Sequence, residues 1–138
     1  MSQKIREMMT RQPVTVSAAA PVREAAQAMR DHDIGDVLVT DDGRLLGLLT
    51  DRDLVVRVLA EGDGDGRTAG DVCTRDVTSV SSDIDVDQAA DMMRVRALRR
   101  LPVVDQDRLV GIVSLGDLAE EKDPASALGR ISAASPNR

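Results

Sequence analysis

The chain contains no phenylalanine, tyrosine or tryptophan, one cysteine and one histidine. Each absence excludes something. Without aromatic rings the usual stacking grip on nucleic-acid bases is missing, as is an aromatic cage for a quaternary ammonium group. A lone Cys73 excludes an internal disulfide framework. Cys73 and His32 together are too few for a Cys/His zinc site, so no metal centre is expected. No apolar run approaches the roughly 18 residues of a membrane span. The first residues, Met1-Ser2-Gln3-Lys4-Ile5-Arg6, lack the apolar stretch of a signal peptide, so a cytoplasmic location is expected. A net charge of −6 argues against a general nucleic-acid binder.

What is present is a repeat. Of 138 residues, 42% are apolar, enough for one compact domain or two small units sharing a core. Residues 10–54 align without a gap on residues 74–118, with 16 of 45 positions identical. Thr10-Arg11 meets Thr74-Arg75, Ala25-Ala26 meets Ala89-Ala90, and Met29-Arg30 meets Met93-Arg94. Asp41, Arg44, Leu45 and Gly47 meet Asp105, Arg108, Leu109 and Gly111. A duplicated unit accounts for that register.

Both copies read β-α-β-β-α. A β-prone stretch comes first, Val14-Thr15-Val16 or Thr78-Ser79-Val80. The next helix in the first copy has Pro21 at its first position and an apolar stripe of Val22, Ala25, Ala26 and Met29. Val86, Ala89, Ala90 and Met93 repeat that stripe. Two strands follow, residues 36–39 and 45–49, joined by the turn Asp41-Asp42-Gly43, then 101–104 and 109–113 joined by Asp105-Gln106-Asp107. A closing helix is expected over residues 51–60 and 115–121. The fold class is therefore α+β. The expected division is a first repeat over residues 3–60, a Gly/Asp linker over 61–67, a second repeat over 68–121, and a tail over 122–138 holding one short helix. In the linker, Asp63-Gly64-Asp65 begins like a calcium loop, but Arg67 and Thr68 then break the pattern.

The chemical signal lies at each strand-to-helix junction. Gly47-Leu48-Leu49-Thr50-Asp51-Arg52-Asp53 and Gly111-Ile112-Val113-Ser114-Leu115-Gly116-Asp117 share Gly, two apolar residues, a hydroxyl residue, two of any kind, and Asp. One reading is a capping box, in which the hydroxyl residue and the acid satisfy orphan helix amides. The other uses the same geometry for a ligand. Free N–H groups at the helix start favour phosphate, and a carboxylate one turn in accepts from the two vicinal hydroxyls of a ribose.

These two motif copies, with His32-Asp33-Ile34-Gly35 and Leu98-Arg99-Arg100-Leu101-Pro102-Val103-Val104-Asp105 before and in the second strands, resemble the cystathionine-β-synthase (CBS) domain. The tandem resembles a Bateman module of the stand-alone bacterial kind, among them hypoxic- and stress-response proteins. That resemblance covers residues 3–121. It implies two repeats packed with pseudo-two-fold symmetry, two clefts for adenosine ligands (AMP, ADP, ATP, NAD(H) or S-adenosylmethionine), no required cofactor, and a homodimer. One implied cleft takes Thr50, Asp53, Leu48 and Arg52 from one repeat and Cys73, Thr78, Leu98, Arg99 and Arg100 from the other. The second takes Ser114, Asp117 and Ile112, with Met9, Val14, Ile34, Gly35 and Asp36 opposite. Arg99 and Arg100 make the Thr50 cleft the expected anion site, since guanidinium forks suit phosphate.

The expected function is a non-enzymatic sensor that signals through a protein partner or its own oligomer. The alternative is an interaction scaffold with empty clefts. An enzyme is disfavoured: His32 is the sole default general base, and no phosphate-binding loop or dinucleotide fingerprint occurs.

Overall fold

The computed structural model describes residues 3–122. The expected tail helix and the last residues lie outside that range. The described chain forms two compact units, one running Val14–Val77, the other joining the residues up to Pro13 to those from Thr78 onward. Among the described residues no helix is long and apolar enough to cross a membrane.

In the Val14–Val77 unit, β2 (Thr15–Ser17), α1 (Val22–His32), β3 (Asp36–Asp41) and β4 (Arg44–Thr50) follow one another. The sheet order is β2-β3-β4, with β2 parallel to β3 and β3 antiparallel to β4. Asp42 and Gly43 both have positive φ (54° and 79°), the turn whose twist matches a two-residue hairpin. α2 (Asp51–Asp53) then widens into a π turn, Leu54–Val58, and tightens into a 3₁₀ turn, Leu59–Glu61. A short α3 (Ala69–Val72), which the sequence pattern did not announce, is closed by its own Thr68–Asp71 box. The core gathers Val16, Val22, Ala25, Met29, Val37, Val39, Leu49, Val58, Ala69 and Val72. Pro21 proves to be the N-cap of α1 and not its first turn. Ala26 faces outward, so Ala28 and Met29 complete the stripe instead.

The other unit contains β1 (Thr10–Arg11), α4 (Val86–Arg96), β5 (Arg100–Asp105), β6 (Arg108–Ser114) and α5 (Leu115–Lys122), with sheet order β1-β6-β5. Its core holds Ile5, Met9, Val80, Val86, Ala89, Met93, Leu101, Val103, Val113 and Leu118. The expected strand at Thr78-Ser79-Val80 shrinks to a single bridge between Val80 and Val103. The cause is local. In the first copy Leu38 N–H donates to Val14 O at 3.2 Å. The equivalent residue is Pro102, which has no N–H to give Thr78.

The units are therefore permuted relative to the repeats. Residues 3–13 pack with the second copy in the way that the residues before Thr78 pack with the first. Thr10 pairs with Ile112, and Thr74 bridges Leu48, the same pair displaced by the repeat offset.

A pair of hydrogen bonds distinguishes the second copy. Ser82 donates to Asp105 through both its N–H (Oδ1, 2.9 Å) and its hydroxyl (Oδ2, 2.5 Å). The matching residue for Ser82 is Ala18. The Ser82 hydroxyl and amide hold the Asp105 carboxyl below its ordinary range. A depressed carboxylate contributes stability above its unfolded pKa of about 3.9, and that contribution is lost as pH falls through the lower folded value. Asp105→Asn is expected to cost about 1 kcal/mol at pH 7. Urea melts should show the difference from the unsubstituted chain closing as pH falls below the ordinary carboxylate range.

Candidate functional site

The two Ser/Thr-x-x-Asp motifs sit where β4 meets α2 and where β6 meets α5. Strand alternation decides which residues they show. Leu49 and Val113 are fully buried, while Leu48 and Thr50, or Ile112 and Ser114, stand partly exposed on the opposite face. Both motifs form complete capping boxes. Asp53 N–H donates to Thr50 Oγ1 and Thr50 N–H to Asp53 Oδ2, each at 3.0 Å. Asp117 N–H donates to Ser114 Oγ and Ser114 N–H to Asp117 Oδ2, again at 3.0 Å.

Capping does not exhaust these groups. A hydroxyl that accepts from an amide still has its own O–H to donate, and a carboxylate offers about four acceptor sites. The box uses Oδ2, and Oδ1 takes no part in it. The chemistry open to each motif is thus recognition of hydroxyl groups.

Free helix amides for phosphate, expected from the sequence, are absent at α2. Asp51 N–H donates to Gly35 O at 2.9 Å, Arg52 N–H to Asp51 Oδ1 at 2.7 Å, and Asp53 N–H to Thr50. At α5, Leu115 N–H donates to Arg99 O at 2.7 Å. Any anion at the Thr50 motif must be met by side chains.

Of the residues expected around one ligand, Leu48, Thr50, Arg52, Asp53 and Cys73 fall in the Val14–Val77 unit, and Thr78, Leu98, Arg99 and Arg100 in the other. Of the second set, Met9, Ile112, Ser114 and Asp117 share one unit, and Val14, Ile34, Gly35 and Asp36 share its counterpart. Cys73 and Met9 therefore belong with the motif they adjoin, not with the opposite copy. Within the units, Asp36 lies opposite Thr50 and Arg100 opposite Ser114 in strand register. Arg96 Nη1 donates to Thr78 Oγ1 at 3.4 Å.

Cys73 is 7% exposed, and its thiol hydrogen-bonds Gly70 O at 3.7 Å. Burial pushes that thiol up, against the opposing pull of Arg75, which disfavours the thiolate. His32 ends α1 and is exposed. Among the described residues no group of three or more His, Cys, Asp or Glu is placed to hold a metal.

Arg57 was not singled out from the sequence, although its spacing of four from Asp53 is the helical neighbour distance. Its Nη1 donates to Val72 O at 3.0 Å, and its Nε stands 3.7 Å from Asp53 Oδ1.

A family profile for the CBS domain matches residues 5–60 and again 69–123. The chain belongs to the CBS-domain family. The CBS domain-containing protein YhcV of Bacillus subtilis is 40% identical over 133 residues, 93% of this chain and 94% of that protein. Among solved structures, Hypoxic Response Protein I with two coordinated zinc ions superposes with a TM-score of 0.76 at 36% identity, covering 86% of this chain and 98% of its own. The CBS domain pair of protein MJ0100, in complex with 5′-methylthioadenosine and S-adenosyl-L-methionine, superposes with a TM-score of 0.75 at 26% identity, covering 91% and 100%. The two α+β CBS copies seen here make this chain a Bateman-type CBS pair.

Proposed function

We propose that this CBS pair is a non-catalytic regulatory module that binds an adenosine nucleotide through its two Ser/Thr-x-x-Asp motifs. The observation that carries this reading is the duplicated box, built twice with the same 3.0 Å bonds and each with Asp Oδ1 outside it. Asp53 and Asp117 take ribose hydroxyls, Thr50 and Ser114 donate to the ligand, and Leu48 and Ile112 offer aliphatic surface to the base. Phosphate falls to arginine side chains: Arg52 beside Asp53, and Arg99 and Arg100, which the family resemblance assigns to the ligand of the Thr50 motif. The adenosine compounds bound by the MJ0100 pair support the ligand class. Ligand binding shifts populations of the module, and the signal leaves through a protein partner or a homodimer, for which Val55, Val56 and Leu59 leave apolar surface exposed.

The test is thermal unfolding followed by circular dichroism with AMP, ADP, ATP, NADH and S-adenosylmethionine, each at about 1 mM. A ligand with a dissociation constant of about 10 μM adds roughly 2.7 kcal/mol. The expected result is stabilisation by at least one of them that is lost in Asp53→Ala and kept in Asp117→Ala. The ligand-induced shift is the readout, because either substitution also removes half of a cap. Two observations favour a second reading, a scaffold without a ligand: both motifs form complete caps, and Thr50 has Asp36 opposite it in the strand register and Asp51 next in the chain, two carboxylates that disfavour an anion. No shift with any of the five compounds would put that reading first.

A further inference from the structure

Asp53 does not stand alone. Its side chain is 15% exposed, and Oδ2 is held by the Thr50 amide. Oδ1 faces Arg57 Nε across 3.7 Å, an ion pair longer than a direct N–H···O bond. The guanidinium is fixed at its other end by Val72 O, 3.0 Å from Nη1. The backbone carbonyl of Arg57 is in turn held by Arg67 Nη1 at 2.6 Å. An acceptor and a donor thus stand side by side, close enough for one hydroxyl oxygen set against the pair to lie about 2.8 Å from each. A hydroxyl suits both sides, giving its proton to Oδ1 and accepting from Nε–H. Neither a carbonyl nor a C–H group does so.

We infer that Arg57 is a specificity-determining residue: the Asp53–Arg57 pair, and not Asp53 by itself, reads a ribose hydroxyl at the Thr50 motif. This rests on the reading that Asp53 meets ribose. The pair is peculiar to one copy. The residue matching Arg57 is Glu121, so Asp117 has no guanidinium at that spacing. The Thr50 motif therefore distinguishes ribose from deoxyribose more sharply than the Ser114 motif does. Arg57 lies on the π turn Leu54–Val58, a helix form that is rare and frequent at functional sites.

The experiment isolates each motif in the full chain. Asp117→Ala leaves the Thr50 motif, and Asp53→Ala leaves the other. Titration calorimetry of each with AMP, 2′-deoxy-AMP and 3′-deoxy-AMP gives the ribose preference. The Asp117→Ala protein is expected to prefer AMP over one of the deoxy compounds by about tenfold or more, the scale of a hydrogen bond to a charged group. Adding Arg57→Gln should bring that preference below about threefold, and Arg57→Lys should restore part of it. Melting of each variant without ligand registers any loss of folding. Equal weakening of AMP and both deoxy compounds in Arg57→Gln would mean that Arg57 only supports the fold, and the inference falls. An Asp117→Ala protein that binds all three equally well overturns it too. An unsubstituted chain that binds none of them overturns the ribose reading itself, and this inference with it.

Discussion

Gly47→Ala is expected to destabilise the protein by about 2–3 kcal/mol, and Gly47→Val to prevent folding of its unit, the upper range for overpacking. Gly47 opens the first motif, and the reason for glycine there is a crossing chain. A Cβ at Gly47 would lie 2.5 Å from Thr74 O and 2.7 Å from Cys73 Sγ. The carbonyl has no room to retreat, because Leu48 and Thr74 exchange two backbone hydrogen bonds, of 2.9 and 2.8 Å. The same passage recurs at Gly111, where a Cβ would lie 2.7 Å from Met9 Sδ and 2.9 Å from Thr10 O. Its nearest obstacle is an unbranched, adaptable side chain, so Gly111→Ala should cost less than Gly47→Ala. Urea denaturation followed by circular dichroism measures both. A Gly47→Ala midpoint within error of the unsubstituted chain would show that the crossing segment yields, and would remove this account of the motif's glycine.

That crossing segment also shows where sequence reading reaches and stops. The hairpins were legible because Asp42-Gly43 and the alternating strands around it are local signals, and the motifs because they recur at one offset. The attachment of residues 3–13 to the second copy was not. Residues 1–9 share no identity with residues 65–73, so the repeat is invisible there, although Thr10 and Thr74 make the same strand contact. What is kept between the two segments is a backbone path over a glycine, which needs no particular side chain. The loss of the strand at Thr78 was legible in principle from Pro102, whose missing N–H removes one ladder bond. The exhausted amides of α2 were not, since Gly35 O and Asp51 Oδ1 reach them through tertiary and rotamer choices that no spacing encodes. The Asp53–Arg57 spacing was visible, but the 3.7 Å gap between them depends on Val72 O drawing the guanidinium aside.

Leu49→Ala is expected to cost about 2–5 kcal/mol, while Leu48→Ala, one residue away, should cost about 1 kcal/mol or less and fall instead on ligand affinity. Leu49 is fully buried, opposite Val37 in the sheet and packed in the core with Val39 and Met29. Truncating it removes the transfer energy of the lost methyls and leaves a cavity that close-packed neighbours fill only in part. In a unit of this size, with a core of small aliphatic residues, that is a large share of the total stability. Leu48 points to the other face with Thr50, and its backbone bonds to Thr74 survive truncation. The pair therefore separates fold from site on one strand. Denaturation midpoints are expected to move chiefly for Leu49→Ala, and nucleotide-induced stabilisation to fall for Leu48→Ala alone, with Val113→Ala repeating the loss of stability on β6. A Leu48→Ala protein that keeps the full ligand-induced shift would take this face of β4 out of the binding surface and leave recognition to the hydroxyl and carboxylate groups at the start of the helix.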